Sequence, residues 1–343
     1  MPDEIDKEFA SYPAPPLAET VKNSDMKSNI SKIFCVMTIL FSFSLILFNY
    51  FCSSNKDDNI EEMDSEDIFK YYSTHSEYTN PGKYIYLYEG IPSDVSKTVK
   101  VVHATILHLA QLEIDKIPIP KTRVDREIHF NTVEKMLQQI SKMDERPLIC
   151  SRQIDDRMIG ICTHFAMLTC SILRHKGIPA RSRGGFETYH SSNAHHDHWI
   201  CEYWNSAENR WIKIDPELNN FLKKRWNINF NNLDLSQDVF LTGVEVWKLC
   251  RLGKKNPNHF GIKGDKWFGG WDFVLNEMVL DYMALNKIEL LPWDGNKLSE
   301  KGIDRLKEND FELLDRASAL AIAENDSFTE MRTFYKNNKK LQK

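Results

Sequence analysis

Several features that would point to particular classes of protein are absent from this chain of 343 residues. Lys and Arg do not cluster, and the formal net charge is only −5, so the sequence lacks the basic surface that nucleic-acid binding requires. It has no internal repeat, and no run of spaced acids resembles a calcium-binding loop. What remains is a chain with 42% hydrophobic and 11% aromatic residues, which favours a packed core over disorder.

Cysteine is also scarce for a chain of this length. Seven cysteines do not make a disulfide framework here. Cys35 and Cys52 lie in an apolar N-terminal segment, and the other five are an odd number, so at least one is free or pairs outside the domain. Those five are Cys150, Cys162, Cys170, Cys201 and Cys250.

The longest apolar run lies near the N-terminus, at residues 33–52. At about 1.5 Å of rise per residue, a helix of this length would span a bilayer core of roughly 30 Å. A buried globular helix normally carries more polar positions, and a signal peptide normally has a shorter apolar stretch with a small-residue cleavage site. We therefore predict a retained transmembrane helix.

The charges around this run predict its orientation. Lys22, Lys27 and Lys32 precede it, whereas acids dominate the residues that follow it. Basic flanks stay in the cytoplasm, so we expect a single-pass membrane protein whose catalytic domain lies on the extracytoplasmic side. Residues 1–32 read as a disordered cytoplasmic tail and residues 53–66 as an acidic linker.

The rest of the chain reads as an α+β domain in three parts. Residues 67–150 carry helical patterns at 97–113 and after Asn131, which with Glu134 resembles a capping box. The central part, 151–225, has a helix over 162–176, a strand over 180–186 and a predicted hairpin of strands 198–204 and 211–214. Residues 226–343 read as mostly helical, with helices at 273–285, 310–324 and 328–335.

The chemistry-bearing residues are Cys162, His198 and Asp215. Cys162 begins a helical pattern, where unpaired backbone N–H groups and the helix dipole stabilise a thiolate. The pKa of the thiol is therefore expected to fall below its free value of about 8.5. The same N–H groups suit an oxyanion. A thiol, a base and an orienting carboxylate are the set that nucleophilic acyl transfer needs.

The spacing of His198 and Asp215 predicts that they meet. A hairpin turn at 206–209, centred between Ser206 and Ala207, would place the two residues directly opposite each other on one face of the sheet. Opposed Cβ atoms lie about 4.5–5.5 Å apart, close enough for the carboxylate to bond one ring nitrogen. A turn of different length would shift this pairing.

Each of these residues also has a structural interpretation on its own. A cysteine on an apolar helix is most often a small buried hydrophobe. His198 could be an ordinary strand residue, and Asp215 before Pro216 could be a turn former. The three contexts taken together favour the catalytic interpretation.

These contexts resemble the transglutaminase-like superfamily. The matching stretches are RMIGICTHFAMLTCSILRHKGIPARSRGGF, HDHWICEYW and RWIKIDPEL, which cover about residues 151–220. The resemblance implies a papain-like core, a helix packed on an antiparallel sheet, with the cysteine, histidine and aspartate roles at Cys162, His198 and Asp215. The wider stretch from about 68 to 335 resembles a bacterial subgroup. The superfamily includes protein cross-linkers, proteases, deglycosylating amidases and inactive members.

Three further residues are predicted to contact substrate. Gly160 would leave room for a substrate backbone, Gln153 would add an oxyanion donor, and Trp199 would line a groove. His164 is interpreted as a first-turn helix residue rather than a second base.

No cofactor, metal or nucleic acid is expected. The histidines His190, His195, His196 and His198 match no familiar zinc spacing, and a loop that gates the cleft is favoured. The sequence thus predicts a membrane-anchored thiol enzyme that hydrolyses or transamidates a peptide or protein amide. The alternative is a non-catalytic binding or scaffolding domain that retains the fold. Oligomeric state is left open.

Overall fold

The computed structural model describes residues 65–189, 193–263 and 267–343. These ranges contain both helices and strands. The helices are, in chain order, α1 (Ser65–Ser73), α2 (Val95–Thr105), α3 (Leu109–Ile114), α4 (Lys121–Glu127), α5 (Val133–Met143), α6 (Cys162–His175), α7 (Asn220–Arg225), α8 (Gly243–Arg251), α9 (Trp271–Leu285), α10 (Glu308–Ile322) and α11 (Phe328–Asn337). The strands are β1 (Ile106–His108), β2 (Met158–Gly160), β3 (Ala180–Glu187), β4 (His195–Asn205), β5 (Arg210–Ile214), β6 (Phe240–Thr242), β7 (Phe260–Lys263) and β8 (Trp267–Gly269). Short 3₁₀ helices cover Gly82–Tyr88, Ile154–Asp156, Pro257–His259, Ile303–Arg305, Glu324–Ser327 and Lys339–Leu341.

The sheet is built around the long strand β4. Strand β3 pairs antiparallel with β4 from Ala180 to Phe186, and β6 pairs antiparallel with the end of β3. On the other side of β4, β5 pairs antiparallel with its C-terminal half. Strand β7 pairs in parallel with the start of β4, and β8 pairs antiparallel with β7. A separate parallel pair joins β1 to β2.

Helix α6 packs against this sheet and is buried along almost its whole length. Cys170 and Leu173 of α6 form an apolar cluster with residues of β3, β4 and β5. Phe165, Leu168 and Ile172 join the main core, which also contains residues of α5, α8 and α9. The helix therefore lies between two apolar layers, which fixes the position of its first residue, Cys162. The arrangement is the predicted helix on an antiparallel sheet.

Buried ion pairs hold the sheet to the C-terminal helices. Arg183 of β3 donates from Nε and Nη2 to the two carboxylate oxygens of Asp281 in α9, at 2.8 and 3.0 Å. Its Nη1 donates to Glu202 of β4 at 3.0 Å. All three side chains are almost fully buried. A buried charge is tolerated only when it is paired and hydrogen-bonded. The pair of Arg183 with Asp281 therefore also fixes the position of α9 against β3.

The transmembrane part of the predicted fold class requires correction. The apolar run 33–52, like the tail 1–32 and the first part of the linker, lies outside the described residues. Within the ranges that are described, no helix is long and apolar enough to cross a membrane. This finding contradicts the predicted membrane helix and the single-pass localisation that depended on it. The fold class is therefore stated as a mixed α and β domain.

Several element predictions are confirmed and others are wrong. Helix α6, strands β3 to β5 and helices α9 to α11 lie within a few residues of their predicted bounds. The predicted helix over 97–113 is interrupted, because β1 pairs with β2 in its middle. The N-cap of α5 is Thr132, whose hydroxyl accepts from the N–H of Lys135, and not Asn131. The mostly helical C-terminal part also contributes three strands.

Candidate active site

Helix α6 begins at Cys162 because His164 fixes its first turn. The backbone N–H of Ile161 donates to Nδ1 of His164 at 3.1 Å, and the His164 backbone N–H donates to the carbonyl of Ile161 at 2.9 Å. The other ring nitrogen, Nε2, donates to the carbonyl of Phe130 at 3.0 Å. Burial lowers the pKa of His164 to about 4, so the ring is neutral and can accept at Nδ1. His164 is thus the first-turn residue that was predicted.

His198 and Asp215 are joined by a hydrogen bond. The distance from Nε2 of His198 to Oδ2 of Asp215 is 2.8 Å, and since a carboxylate only accepts, the ring nitrogen is the donor. The second oxygen of Asp215, Oδ1, accepts from the backbone N–H of Glu217 at 2.9 Å and of Leu218 at 3.4 Å. The side chains of His198 and Asp215 are 10% and 1% exposed.

The hairpin brings these two residues together in a different register from the predicted one. Strands β4 and β5 pair Cys201 with Ile214 and Tyr203 with Ile212, which displaces the pairing by two positions. The prediction that His198 faces Asp215 directly is therefore wrong. A shift of two residues keeps the same side chains on the same face, so the two remain diagonal neighbours within bonding reach.

The thiol of Cys162 lies against the same imidazole. A hydrogen-bonding interaction with His198 lowers the pKa of Cys162, but burial outweighs it and raises that pKa to about 11. The predicted fall below the ordinary thiol value is therefore wrong, because burial of the thiolate outweighs its stabilisation by His198. Since Nε2 of His198 is bound to Asp215, Nδ1 is the ring atom left for Cys162.

For the imidazole of His198, the neighbouring groups outweigh the effect of burial on the pKa. Burial alone would lower the pKa of His198, but the Asp215 carboxylate and its hydrogen bond, together with Cys162, hold that pKa well above its ordinary value. Both shifts therefore favour the protonated forms of the thiol and of the imidazole in the substrate-free site. One proton must leave this pair before the sulfur can attack.

Asp197 and Glu277 are two buried carboxyl groups that interact with each other, and Asp197 also interacts with His198. Burial raises the pKa of Asp197 to about 6, with His198 opposing the shift. The pKa of Glu277, in α9, is raised well above its usual range by burial and by the nearby Asp197 and Asp281. One oxygen of Asp197 and both oxygens of Glu277 have no hydrogen-bond partner among the described residues. Protonation removes the cost of burying these charges.

The three predicted substrate contacts do not join this group of side chains. A Cβ at Gly160 would lie 2.8 Å from Ile106 and 3.1 Å from His164, so close packing, and not a substrate, accounts for this glycine. Gln153 is exposed and precedes the 3₁₀ helix Ile154–Asp156. Trp199 is fully buried and packs over Gly184, so it lines no groove.

Sequence reasoning missed two residues near the thiol. Oε2 of Glu217 lies 3.6 Å from Nε2 of His108, and the charge of Glu217 raises the pKa of Cys162. Tyr189 packs on Phe230, with 5.2 Å between ring centroids. Burial, followed by the charges of Asp215 and of nearby acids, raises the pKa of Tyr189 well above its usual value. Glu217 is the last residue of the motif DPE, which is a signal that was available, whereas nothing around Tyr189 distinguishes it.

Of two pockets on the described surface, the smaller one adjoins the site. It has a volume of about 400 Å³ and is lined by Lys100, His103, Arg157 and Phe221, among others. His103 is close enough to Asp215 for that carboxylate to raise its pKa, although burial, the larger effect, lowers that pKa to about 4. The larger pocket, about 550 Å³, lies at the far end of the β4–β5 hairpin around Trp204 and Trp211. Along β4 and β5 this pocket lies at the opposite end from His198 and Asp215. We therefore assign it no part in the chemistry.

No group of three or more His, Cys, Asp or Glu side chains is arranged to hold a metal ion among the described residues. His190 lies outside them.

Part of the chain is similar to a known family. Residues 146–216 match the family model of the Transglutaminase-like superfamily, and this stretch contains Cys162, His198 and Asp215. The bacterial subgroup expected for the wider chain is not shown.

Two particular proteins are similar to the chain. A Protein-glutamine gamma-glutamyltransferase of Pseudomonas aeruginosa is 25% identical over 183 residues, which cover 41% of this chain and 26% of that protein. The chain thus spans about a quarter of the length of this relative. A solved structure of a candidate cysteine protease from Cytophaga hutchinsonii is 15% identical and covers 47% of this chain and 45% of its own. Its TM-score of 0.30 is too low to carry an argument.

Proposed function

We propose that this chain is a thiol enzyme that acts on an amide of a peptide or protein through an acyl-cysteine intermediate. The observation that carries the proposal is the convergence of three side chains from distant stretches: His198 bonded to Asp215 at 2.8 Å, and Cys162 against the same ring. The match of residues 146–216 to the superfamily supports it independently.

In the proposed mechanism, one proton first leaves the Cys162–His198 pair to solvent, which leaves a neutral imidazole beside the thiol. Cys162 then attacks the amide carbonyl and forms a carbon–sulfur bond, while the thiol proton passes to Nδ1 of His198. The tetrahedral oxyanion is held by the N–H of Cys162 at the start of α6. His198 then gives its proton to the leaving amine as the carbon–nitrogen bond breaks. Water or a second amine resolves the acyl-enzyme.

Asp215 orients the base in this mechanism. Its hydrogen bond from Nε2 keeps the other ring nitrogen directed to the thiol, and its charge stabilises the imidazolium that forms. The backbone N–H groups of Glu217 and Leu218 hold the carboxylate in place. The role is one of positioning, and Asp215 does not contact the substrate.

Hydrolysis and transamidation differ only in which nucleophile resolves the acyl-enzyme. The Pseudomonas aeruginosa relative is a Protein-glutamine gamma-glutamyltransferase, but the chain covers only about a quarter of that protein. We therefore propose amide acyl transfer as the common activity, with peptide or protein as substrate. A non-catalytic scaffold is not favoured, because a site without chemistry has no need to bury His198 with a carboxylate and a thiol.

The proposal is tested with p-nitrophenyl acetate, an activated ester that acylates thiol enzymes. We expect a burst of p-nitrophenolate equal to one active site and a protein that gains the mass of one acetyl group. Cys162→Ala removes both signals. The matched control is Cys150→Ala, which deletes a partly exposed free cysteine and leaves the burst intact. A burst that survives in Cys162→Ala overturns the proposal.

The fate of the acyl group separates the two reactions. The acetylated enzyme is mixed with increasing concentrations of a primary alkylamine. An N-alkylacetamide product that rises with amine concentration indicates transamidation, and acetate alone indicates hydrolysis.

A further inference from the structure

Two cysteines that the proposed mechanism does not use touch each other inside the domain. The sulfur atoms of Cys170, in α6, and Cys201, in β4, lie 3.2 Å apart. Both residues are fully buried, and both are free thiols in the structure. A disulfide has a sulfur–sulfur distance of about 2.05 Å, so roughly 1 Å of further approach separates this contact from a covalent bond. The side chains already point at each other.

The surroundings make Cys170 the more acidic of the two thiols. Burial would raise the pKa of Cys170, but the hydrogen bond from Cys201, the charge of Arg174 and the hydroxyl of Ser182 together lower it. Burial and the neighbouring Cys170 raise the pKa of Cys201 well above the ordinary thiol value. An unequal pair of this kind is the starting point for disulfide formation, because the thiolate is the nucleophile.

We propose that Cys170 and Cys201 form a redox-sensitive dithiol, which a peroxide oxidises to a disulfide that ties α6 to β4. The Cys170 thiolate attacks one oxygen of hydrogen peroxide, which gives a sulfenic acid and releases hydroxide. The sulfur of Cys201 then attacks the sulfur of this sulfenic acid and forms the sulfur–sulfur bond. The sulfenic oxygen leaves as water and takes the proton of the Cys201 thiol. In total the two thiols lose two electrons and two protons, and peroxide is reduced to two water molecules.

The position of this bond connects it with the candidate active site. Helix α6 begins at Cys162, eight residues before Cys170, and β4 contains His198, three residues before Cys201. The disulfide would therefore fix the helix of the thiol to the strand of the imidazole. It would also close a loop in the unfolded chain, which stabilises the folded state. The inference stands whether or not Cys162 is catalytic.

The experiment uses the purified full chain with Cys162→Ala, which removes the competing thiol of the site. After treatment of the folded protein with hydrogen peroxide, we expect an intact mass that is lower by two hydrogen atoms. A non-reducing tryptic digest should contain the peptides 158–174 and 184–210 joined together, and dithiothreitol should separate them. The midpoint of thermal unfolding should rise on oxidation and return on reduction.

The control adds Cys170→Ser to the same background. It keeps Cys35, Cys52, Cys150, Cys201 and Cys250, so a disulfide between any two of these would still form. We expect neither the joined peptides nor the thermal shift in this variant. A folded protein that keeps both thiols reduced, gains oxygen atoms instead, or joins a different pair of cysteines would overturn the proposal.

Discussion

Nε2 of His198 donates to Oδ2 of Asp215 over 2.8 Å, while Oδ1 of the same carboxylate accepts from the backbone N–H of Glu217. Both oxygens of Asp215 are thus engaged, and the carboxylate cannot rotate without breaking a buried hydrogen bond. The ring of His198 is held by one nitrogen, which leaves the other for Cys162. The geometry of the base is therefore set by a turn of backbone after β5.

Asp215→Asn should separate this orienting role from folding. The amide oxygen can still accept from the backbone N–H groups, so we expect the fold to persist. An amide nitrogen cannot accept from Nε2–H, so the favoured tautomer reverses and Nδ1 no longer accepts the thiol proton. We expect acylation by p-nitrophenyl acetate to slow by roughly 10³- to 10⁴-fold, as measured by burst kinetics. Asp234→Asn, which alters a surface pair with Arg210, is the control. Equal acylation rates in both variants would contradict the assignment.

The alkylation rate of Cys162 should rise mainly at alkaline pH. Because burial raises the pKa of this thiol to about 11, alkylation by iodoacetamide should be slow at pH 7 and increase toward alkaline pH. His198→Gln removes the group that lowers this pKa, so its alkylation profile should move to still higher pH. The measurement is the alkylation rate of Cys162 against pH, in a Cys150→Ala background. Full reactivity below about pH 8 would show that the thiol is not buried in solution.

Helix α6 and the β4–β5 hairpin show which features could be predicted from the sequence and which could not. The apolar stripe of Phe165, Leu168 and Ile172 predicted the helix, and its start at Cys162 is confirmed because local signals determine it. The turn at 206–209 was also predicted. The register was not, since a displacement by two residues preserves the alternation of buried and exposed side chains and leaves no trace in the sequence.

Properties that arise from long-range packing were beyond sequence reasoning. The direction of the Cys162 pKa shift depends on how deeply distant segments bury the sulfur. The acids behind the site come from β4 and from α9, eighty residues apart along the chain. The contact of Cys170 with Cys201 likewise depends on how α6 lies on β4. The N-terminal apolar run led to the prediction of a membrane helix, which the finding for the described residues contradicts.

Arg183 should be among the residues most important for stability. Its guanidinium pairs with Asp281 and Glu202, and all three groups are almost fully buried. Arg183→Met leaves Asp281 as an uncompensated buried charge, so we expect a loss of roughly 3–5 kcal/mol in the free energy of unfolding. Arg210→Met breaks a pair whose arginine side chain is 43% exposed and should cost at most about 1 kcal/mol. Urea unfolding of both variants measures the difference, and similar losses would contradict the expectation.

His164 should make the fold less stable as the solution becomes acidic. Its pKa is about 4 in the folded state because the ring is buried, against an ordinary value of 6.5. Between these values the unfolded chain takes up a proton that the folded chain does not, so the stability contributed by the neutral ring is present above about pH 6.5 and is lost as pH falls toward 4. His164→Gln keeps an acceptor for the Ile161 N–H and a donor for the Phe130 carbonyl but cannot titrate. In urea unfolding series from pH 7.5 to pH 4.5, the free energy of the parent should fall more steeply than that of the variant, by up to about 1.4 kcal/mol per pH unit. Parallel curves would show that residue 164 takes up its proton equally in both states.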